Sequence, residues 1–186
     1  HQVLGMTKLD KKIPGSYQNF INSYAACCRF ADAQVGRLLD ALDSSTIAKN
    51  TIVVLWSDHG FHLGEKDHIE KFALWEKTNH IPFIISAPNI TKPNSRCDQP
   101  IDLTVLYPTL LELCGLKKDS RCDGFSAVPL LMDPEALWQY PAISTYGKDN
   151  HSIRTKKWRY IRYNEGSEEV YNHNYDPNEW TNLAKQ

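Results

Sequence analysis

Thr51-Ile52-Val53-Val54-Leu55-Trp56-Ser57-Asp58-His59-Gly60 decides how this chain folds. An apolar, β-branched run stops at a Ser-Asp-His-Gly turn and reads as a buried strand of a parallel sheet. In open α/β sheets, ligands bind where such strands end at their carboxyl edge. Upstream, Ser16 to Asp43 sets Ile21, Tyr24, Ala25, Cys28, Ala31, Val35, Leu38, Leu39 and Leu42 on one stripe of a long amphipathic helix. Ser44-Ser45-Thr46 interrupts it, and Lys49-Asn50 leads into the strand. Helix, short loop and apolar strand make half of a βαβ unit, so the expected class is α/β.

Downstream, a polar loop runs from Asp58 to about Asn79, and Ile81 to Ser86 reads as a second buried strand. Pro88, Pro93 and Pro100 mark the following stretch as loop. Asp102 can cap a helix from Leu103 to Leu113 that Gly115 ends, with Pro108 implying a kink or a late helix start. Beyond Leu116 the texture changes to strand-like pieces at Ala142 to Tyr146, Ser152 to Thr155, Trp158 to Tyr163 and Val170-Tyr171. Residues 158–163 alternate as a half-exposed antiparallel strand does. The expected layout is an α/β region over residues 1–116 and a small antiparallel subdomain over residues 117–186.

A length of 186 residues is enough for one domain with a real core. A net charge of −1, with 23% charged residues, gives no electrostatic push toward nucleic acid or a membrane surface. No apolar run approaches the ~20 residues of a membrane span. The five cysteines show no repeated spacing, which makes a poor disulfide framework and a poor zinc site. Cys27 and Cys28 read as buried fillers of the long helix, and Cys114 and Cys122 are near enough in sequence to bridge across a turn. The first residue is His, so the chain is expected to be a piece of a longer protein.

Asp58 and His59 are the first candidates for chemistry. Where a strand ends the chain turns, and a hard carboxylate oxygen and an imidazole nitrogen can converge on one divalent ion. The competing reading gives Asp58 a capping bond and His59 a loop hydrogen bond. Gly60 favours the ion, because glycine allows close backbone approach. Glu65, Lys66, Asp67, His68, Glu70 and Lys71 form a charged run whose default is a solvated loop. One lysine from it suits a phosphate or sulfate ester beside a metal, and Lys71, next to Phe72 and thirteen residues after Asp58, is favoured over Lys66. His62 and His68 border the metal loop and are expected at the surface, with a place facing the substrate as the alternative; His80 is expected in a local contact and Trp180 as a packing anchor. Arg154 is expected to tie its strand to a carboxylate and Trp158 to pack, with the substrate cleft as the alternative for both.

Asp32 to Asp43 precedes the strand and its Ser57-Asp58-His59-Gly60 turn. Phe61-His62-Leu63-Gly64-Glu65-Lys66, Glu70-Lys71 and His80-Ile81-Pro82-Phe83 follow in order. Ile101-Asp102-Leu103, Tyr107-Pro108-Thr109-Leu110, Ser152-Ile153-Arg154-Thr155 and Trp158-Arg159-Tyr160-Ile161 continue the pattern. This string resembles the C-terminal half of a type I sulfatase catalytic domain, closest to the iduronate-2-sulfatase and choline-sulfatase-like branch. The resemblance implies a partial alkaline-phosphatase-like α/β/α sheet with a small C-terminal antiparallel α+β subdomain. It implies hydrolysis of sulfate monoesters by a formylglycine nucleophile beside a divalent ion, usually Ca2+, with Mg2+, Mn2+ or Zn2+ as alternatives. Carried over by position, Asp58 and His59 match metal ligands and Lys71 the lysine that contacts the sulfate. Many sulfatases have Asn where His59 stands, and His is the pattern of the iduronate branch.

The modification motif of the family is Cys or Ser, any residue, Pro or Ala, any residue, Arg. Cys27 leads instead to Cys28-Arg29-Phe30-Ala31, and Cys122 to Asp123-Gly124-Phe125-Ser126. The nucleophile and the first pair of metal ligands are thus expected from a missing N-terminal half, and this piece alone is expected to be inactive. The implied substrate is a sulfated sugar or small sulfate ester, and the implied location periplasmic, secreted or lysosomal. Two readings compete: a phosphomonoester, phosphodiester or phosphonate monoester hydrolase of the same superfamily, and a non-catalytic binding module.

Overall fold

The computed structural model describes residues 11–185; the opening residues, including the His1 start, lie outside that range. Helix α1 spans Ser16–Asp43. Its N-terminal half rests on the loop after the first strand: Tyr24 stacks on Phe61 at 5.3 Å, Phe20 approaches the same ring at 6.2 Å, and the Tyr17 hydroxyl donates to the Leu63 carbonyl at 2.8 Å. Of the rest of its stripe, Val35 and Leu42 are half-buried while Ala25, Cys28, Ala31, Leu38 and Leu39 are exposed. No residue of α1 is buried, Leu38 is 73% exposed, and Cys27 and Cys28 are exposed, which corrects their reading as buried fillers. The stripe has the right period for burial, but the surface that would cover it is not among the described residues.

Strand β1 spans Val53–Trp56 and pairs with β4, Phe83–Ser86, from Val53 opposite Ser86 to Trp56 opposite Phe83. That pairing is antiparallel, so the parallel neighbour expected for β1 is not found among the described residues, and Leu55 and Trp56 stand exposed. Between β1 and β4 lie a two-residue hairpin of β2, His62–Leu63, and β3, Ile69–Glu70, and the one-turn helix α2, Glu76–Asn79. After β4 a 3-10 turn, Leu103–Val105, precedes helix α3, Leu106–Leu113. The Asp102 carboxylate accepts from the Thr104 amide at 3.1 Å and caps the turn. The α-helix starts late, so Pro108 falls in its first turn, where a missing N–H costs nothing. Gly115, at φ +66°, closes it, with the Leu116 amide donating to the Leu111 carbonyl at 2.8 Å. Cys114 and Cys122 are free thiols.

A short helix α4, Val128–Met132, packs beside α3, where Thr109 is buried and its hydroxyl accepts from the Ala127 amide at 2.8 Å. The chain then forms a four-stranded antiparallel meander in the order β5, Ala142–Thr145; β6, His151–Arg154; β7, Trp158–Arg162; β8, Glu168–Asn172. Leu74, Ile161 and Tyr171 form a core cluster with Trp75 and Tyr163 packed against it. The core therefore sits where the loop after β3 meets the meander. No helix among the described residues is long and apolar enough to cross a membrane.

Candidate active site

β1 delivers the chain to the Ser57–Gly60 turn. The Ser57 hydroxyl donates to the His59 carbonyl at 2.8 Å, and the His59 amide donates to Asp58 Oδ1 at 3.1 Å. These local bonds leave the outer atoms of both side chains available. His59 Nδ1 lies 2.8 Å from the Gly60 carbonyl, which can only accept, so Nδ1 carries the hydrogen and Nε2 presents its lone pair. That Nε2 is 3.6 Å from Asp58 Oδ2. On a neutral imidazole these are two electron-rich atoms facing one another, an arrangement a cation relieves. The separation suits neighbouring ligands on one ion with bonds of about 2.3–2.6 Å. A carbonyl bond on the far nitrogen is also what orients a ligating histidine. Asp58 is 82% exposed and His59 33%, so the pair is open on one side. The donor set fits a divalent cation.

Gly60 also has a packing task. A Cβ there would lie 2.2 Å from the Lys77 carbonyl oxygen, so backbone packing by itself requires glycine. The Gly60 and Phe61 amides donate to the Thr78 and Lys77 carbonyls at 2.7 and 2.9 Å, joining the Asp58-His59 turn to α2.

Lys71 lies between β3 and α2, half-buried, with its Nζ 5.5 Å from the Phe72 ring centre. Among the described residues it forms no ion pair and no hydrogen bond with Asp58 or His59. Lys66 is committed elsewhere: its Nζ donates to Tyr171 Oη at 3.1 Å and to the Glu179 carbonyl, and lies 4.8 and 4.7 Å from the Trp75 and Tyr171 rings. Burial pulls its pKa below the ordinary lysine value, against Glu169 and Glu179. Of the two lysines, Lys71 keeps its charge uncommitted.

His62 is 1% exposed, which corrects its expected surface position. Its ring packs edge-on to His68 and Trp75 at 5.1 and 5.7 Å. Burial first, then His68, hold its pKa below the ordinary imidazole value, against Glu65 and Glu179. The unfolded chain protonates here near pH 6.5 and the folded chain only at lower pH. Its contribution to stability is therefore complete above about pH 6.5 and is lost as the pH falls from there toward the folded pKa. A thermal melting series from about pH 7.5 to about pH 5 should show Tm falling, with a shallower fall in His62→Phe.

Sequence reasoning missed a buried ionic cluster behind this loop. Arg159 and Glu179, both under 3% exposed, pair through Arg159 Nε and Glu179 Oε1 at 2.6 Å. Arg159 also reaches Glu76 Oε2 at 2.5 Å, Ser152 Oγ at 2.7 Å and the Leu74 carbonyl at 3.2 Å. Glu179 Oε2 accepts the Glu76 amide at 2.8 Å. Arg154 binds Glu76 at 3.3 Å and donates to His173 Nδ1 at 2.9 Å, so His173 donates through Nε2 to Glu179 at 2.8 Å. Burial alone would raise the Glu76 pKa, but the Arg159 and Arg154 guanidiniums outweigh it and hold it below the usual carboxylate range. Glu76, His173 and Glu179 offer ligand atoms within 4.8 Å of one another, as a divalent metal site would. Two guanidiniums already supply the positive charge there and both His173 nitrogens are in use, so this cluster is a clamp. Trp180, beside it, is 61% exposed and is no packing anchor; the inward place belongs to Glu179.

Comparison with known proteins agrees with this architecture. The family described as Sulfatase matches residues 5–116, and the family described as N-sulphoglucosamine sulphohydrolase, C-terminal, matches residues 64–186. A sulfatase of Formosa agariphila is 46% identical over 170 residues, covering 91% of this chain and 33% of that protein. Arylsulfatase K of Homo sapiens is 28% identical over 177 residues, covering 87% of this chain and 33% of that protein. The chain thus spans about a third of the length of the curated relatives it matches. Among solved structures, BT4656 in complex with its substrate D-glucosamine-2-N,6-O-disulfate matches with TM-score 0.78 and 29% identity, over 90% of this chain and 36% of that one. The phosphonate monoester hydrolase of Agrobacterium radiobacter, 23% identical with TM-score 0.72 over 83% of this chain and 35% of that one, shares the fold. Matched over more than half its length, and carrying the same mixed α/β architecture, this chain belongs to the sulfatase family.

Proposed function

We propose that the intact protein hydrolyses sulfate monoesters of a glycan, with Asp58 and His59 holding a divalent cation and Lys71 neutralising the ester oxygens. The observation that carries this reading is the Asp58 Oδ2 to His59 Nε2 separation of 3.6 Å, with the imidazole proton held on the opposite nitrogen. A cation bound there, Ca2+ by family resemblance, supplies Lewis-acid stabilisation of the sulfate oxygens. Asp58 contributes the anionic ligand, His59 the neutral one, and the Gly60 carbonyl holds the tautomer. Lys71 contributes a positive charge that no carboxylate pairs with among the described residues. Water and the ester give the alcohol and inorganic sulfate, and the bond broken is one S–O bond. The formylglycine nucleophile and further metal ligands would belong to the part of the protein outside this chain, and the exposed residues of the α1 stripe are the surface that part would pack on. Taken alone, the chain is expected to be inactive.

On the same reading, residues 1–116 complete the α/β catalytic domain and residues 117–186 form its C-terminal subdomain. His59 in place of Asn supports the iduronate-2-sulfatase-like branch. The match to BT4656 in complex with its substrate D-glucosamine-2-N,6-O-disulfate supports a sulfated amino sugar, and the location of such an enzyme would be periplasmic, secreted or lysosomal. The fold shared with a phosphonate monoester hydrolase supports the competing phosphoester reading. The full-length protein should therefore be assayed for release of inorganic anion from a 6-O-sulfated glucosamine and from the matched phosphate ester. Preference for the sulfate ester on the order of 100-fold is expected. Preference for the phosphate ester would transfer the site to the competing class, and no turnover of either would leave a binding module.

A further inference from the structure

Lys71 is presented by strained backbone. Glu70 before it and Phe72 after it both lie in the left-handed region, at φ +72° and +51°, as do Lys66 and Asp67 at the head of the same loop. Non-glycine residues hold such conformations only where their surroundings over-determine them, and these places gather at functional sites. The pairing of β3 with β2 ends at Glu70, opposite His62, so the ladder does not fix Lys71.

One side chain does. His68 Nε2 lies 2.6 Å from the Lys71 carbonyl. The carbonyl only accepts, so Nε2 carries the hydrogen and donates it. The His68 ring cannot swing away. It stands edge-on to His62 at 5.1 Å and to Trp75 at 5.9 Å, and those two rings are edge-on to one another at 5.7 Å. Each of the supporting rings is itself anchored. His62 Nδ1 is 3.2 Å from the Glu65 carbonyl, and Trp75 Nε1 donates to Glu169 Oε2 on β8 at 2.7 Å. A continuous set of contacts thus runs from the C-terminal meander through Trp75 and His68 to the backbone of Lys71. We infer that His68 is a positioning residue, whose Nε2–H holds the turn that aims the Lys71 ammonium at the substrate anion. The inference rests on the proposed role of Lys71.

Two substitutions in the full-length protein separate the donor from the ring. His68→Gln keeps an N–H donor near the Nε2 position and loses the ring; His68→Phe keeps the ring and loses the donor. With a sulfate ester as substrate, His68→Phe should lower kcat/KM by about 10- to 100-fold, while His68→Gln stays within about 3-fold of the parent. A packing role alone would reverse that order and overturn the inference. In a Lys71→Ala background, His68→Phe should add less than about 3-fold, because it acts through the lysine. An undiminished further loss would equally overturn it. A readout independent of turnover is site-resolved acylation of Lys71, followed by mass spectrometry, with and without inorganic sulfate. Sulfate should protect Lys71 in the parent and in His68→Gln, but not in His68→Phe. Equal protection in all three would sink the positioning role alone, whereas no protection in the parent would sink the role of Lys71 and the inference with it.

Discussion

In the intact protein, Asp58→Asn lowers kcat/KM for sulfate-ester hydrolysis on the order of 100- to 1000-fold and weakens divalent-cation binding in parallel. The substitution keeps size and shape, and the amide can still accept the His59 N–H bond now made at 3.1 Å by Oδ1. What it removes is the negative charge opposite His59 Nε2. The loss corresponds to about 3 to 4 kcal/mol of transition-state stabilisation. Because 82% of the Asp58 side chain is exposed, removing its charge leaves no unpaired buried group, and Tm should stay close to the parent value without added metal. That combination, intact fold with lost activity and lost cation affinity, distinguishes a ligand from a capping residue. Calorimetric titration with Ca2+ and initial-rate kinetics on the same preparations check it. Full activity with unchanged cation affinity would remove Asp58 from the site.

The strand and its turn were legible because period and punctuation are local properties. Val53 to Trp56 and Phe83 to Ser86 are apolar runs bounded by breakers, and both are strands. Their pairing direction was not legible, since an apolar run reads alike in parallel and antiparallel sheets. The stripe on α1 has helical period, but period says which residues can be buried, not whether a partner surface is present in the same chain. His62 misled for another reason. A histidine in a charged loop defaults to solvent, and only the convergence of His68 and Trp75 on its ring makes the site dry. The ionic clamp had a readable trace. In Trp158-Arg159-Tyr160-Ile161-Arg162, strand parity puts Arg159 on the face of Ile161, the most buried residue of β7. An arginine at an inward position asks for a buried carboxylate. Its partner Glu179 lies twenty residues later on an irregular tail at φ +60°, where no periodicity points inward.

That clamp carries the largest expected effect on stability. Arg159→Leu should destabilise the folded protein by about 3–5 kcal/mol, because Glu179 and Glu76 would then share a buried space with only the Arg154 guanidinium to balance them, His173 giving Glu179 a hydrogen bond alone. Glu179→Leu should cost a similar amount: it frees the Glu76 amide and the inner face of Arg159 at once. Breaking a buried pair leaves one charge uncompensated, whereas replacing both partners removes the desolvation cost with the attraction. The double variant Arg159→Leu/Glu179→Leu should therefore recover part of the loss, and its shortfall from additivity measures the coupling. Denaturant midpoints of the intact protein check all three. Additive losses would mean that the two residues pack independently. The same substitutions should disturb the site beyond their effect on stability. Arg159 holds the Leu74 carbonyl and Glu179 the Glu76 amide, while two residues on the Thr78 carbonyl takes the Gly60 amide beside His59. Loosening residues 74–78 loosens the turn that carries Asp58 and His59, the proposed ligands. At temperatures where each single variant is still folded, cation affinity should fall along with kcat/KM. A cation affinity equal to the parent's would confine the clamp to stability.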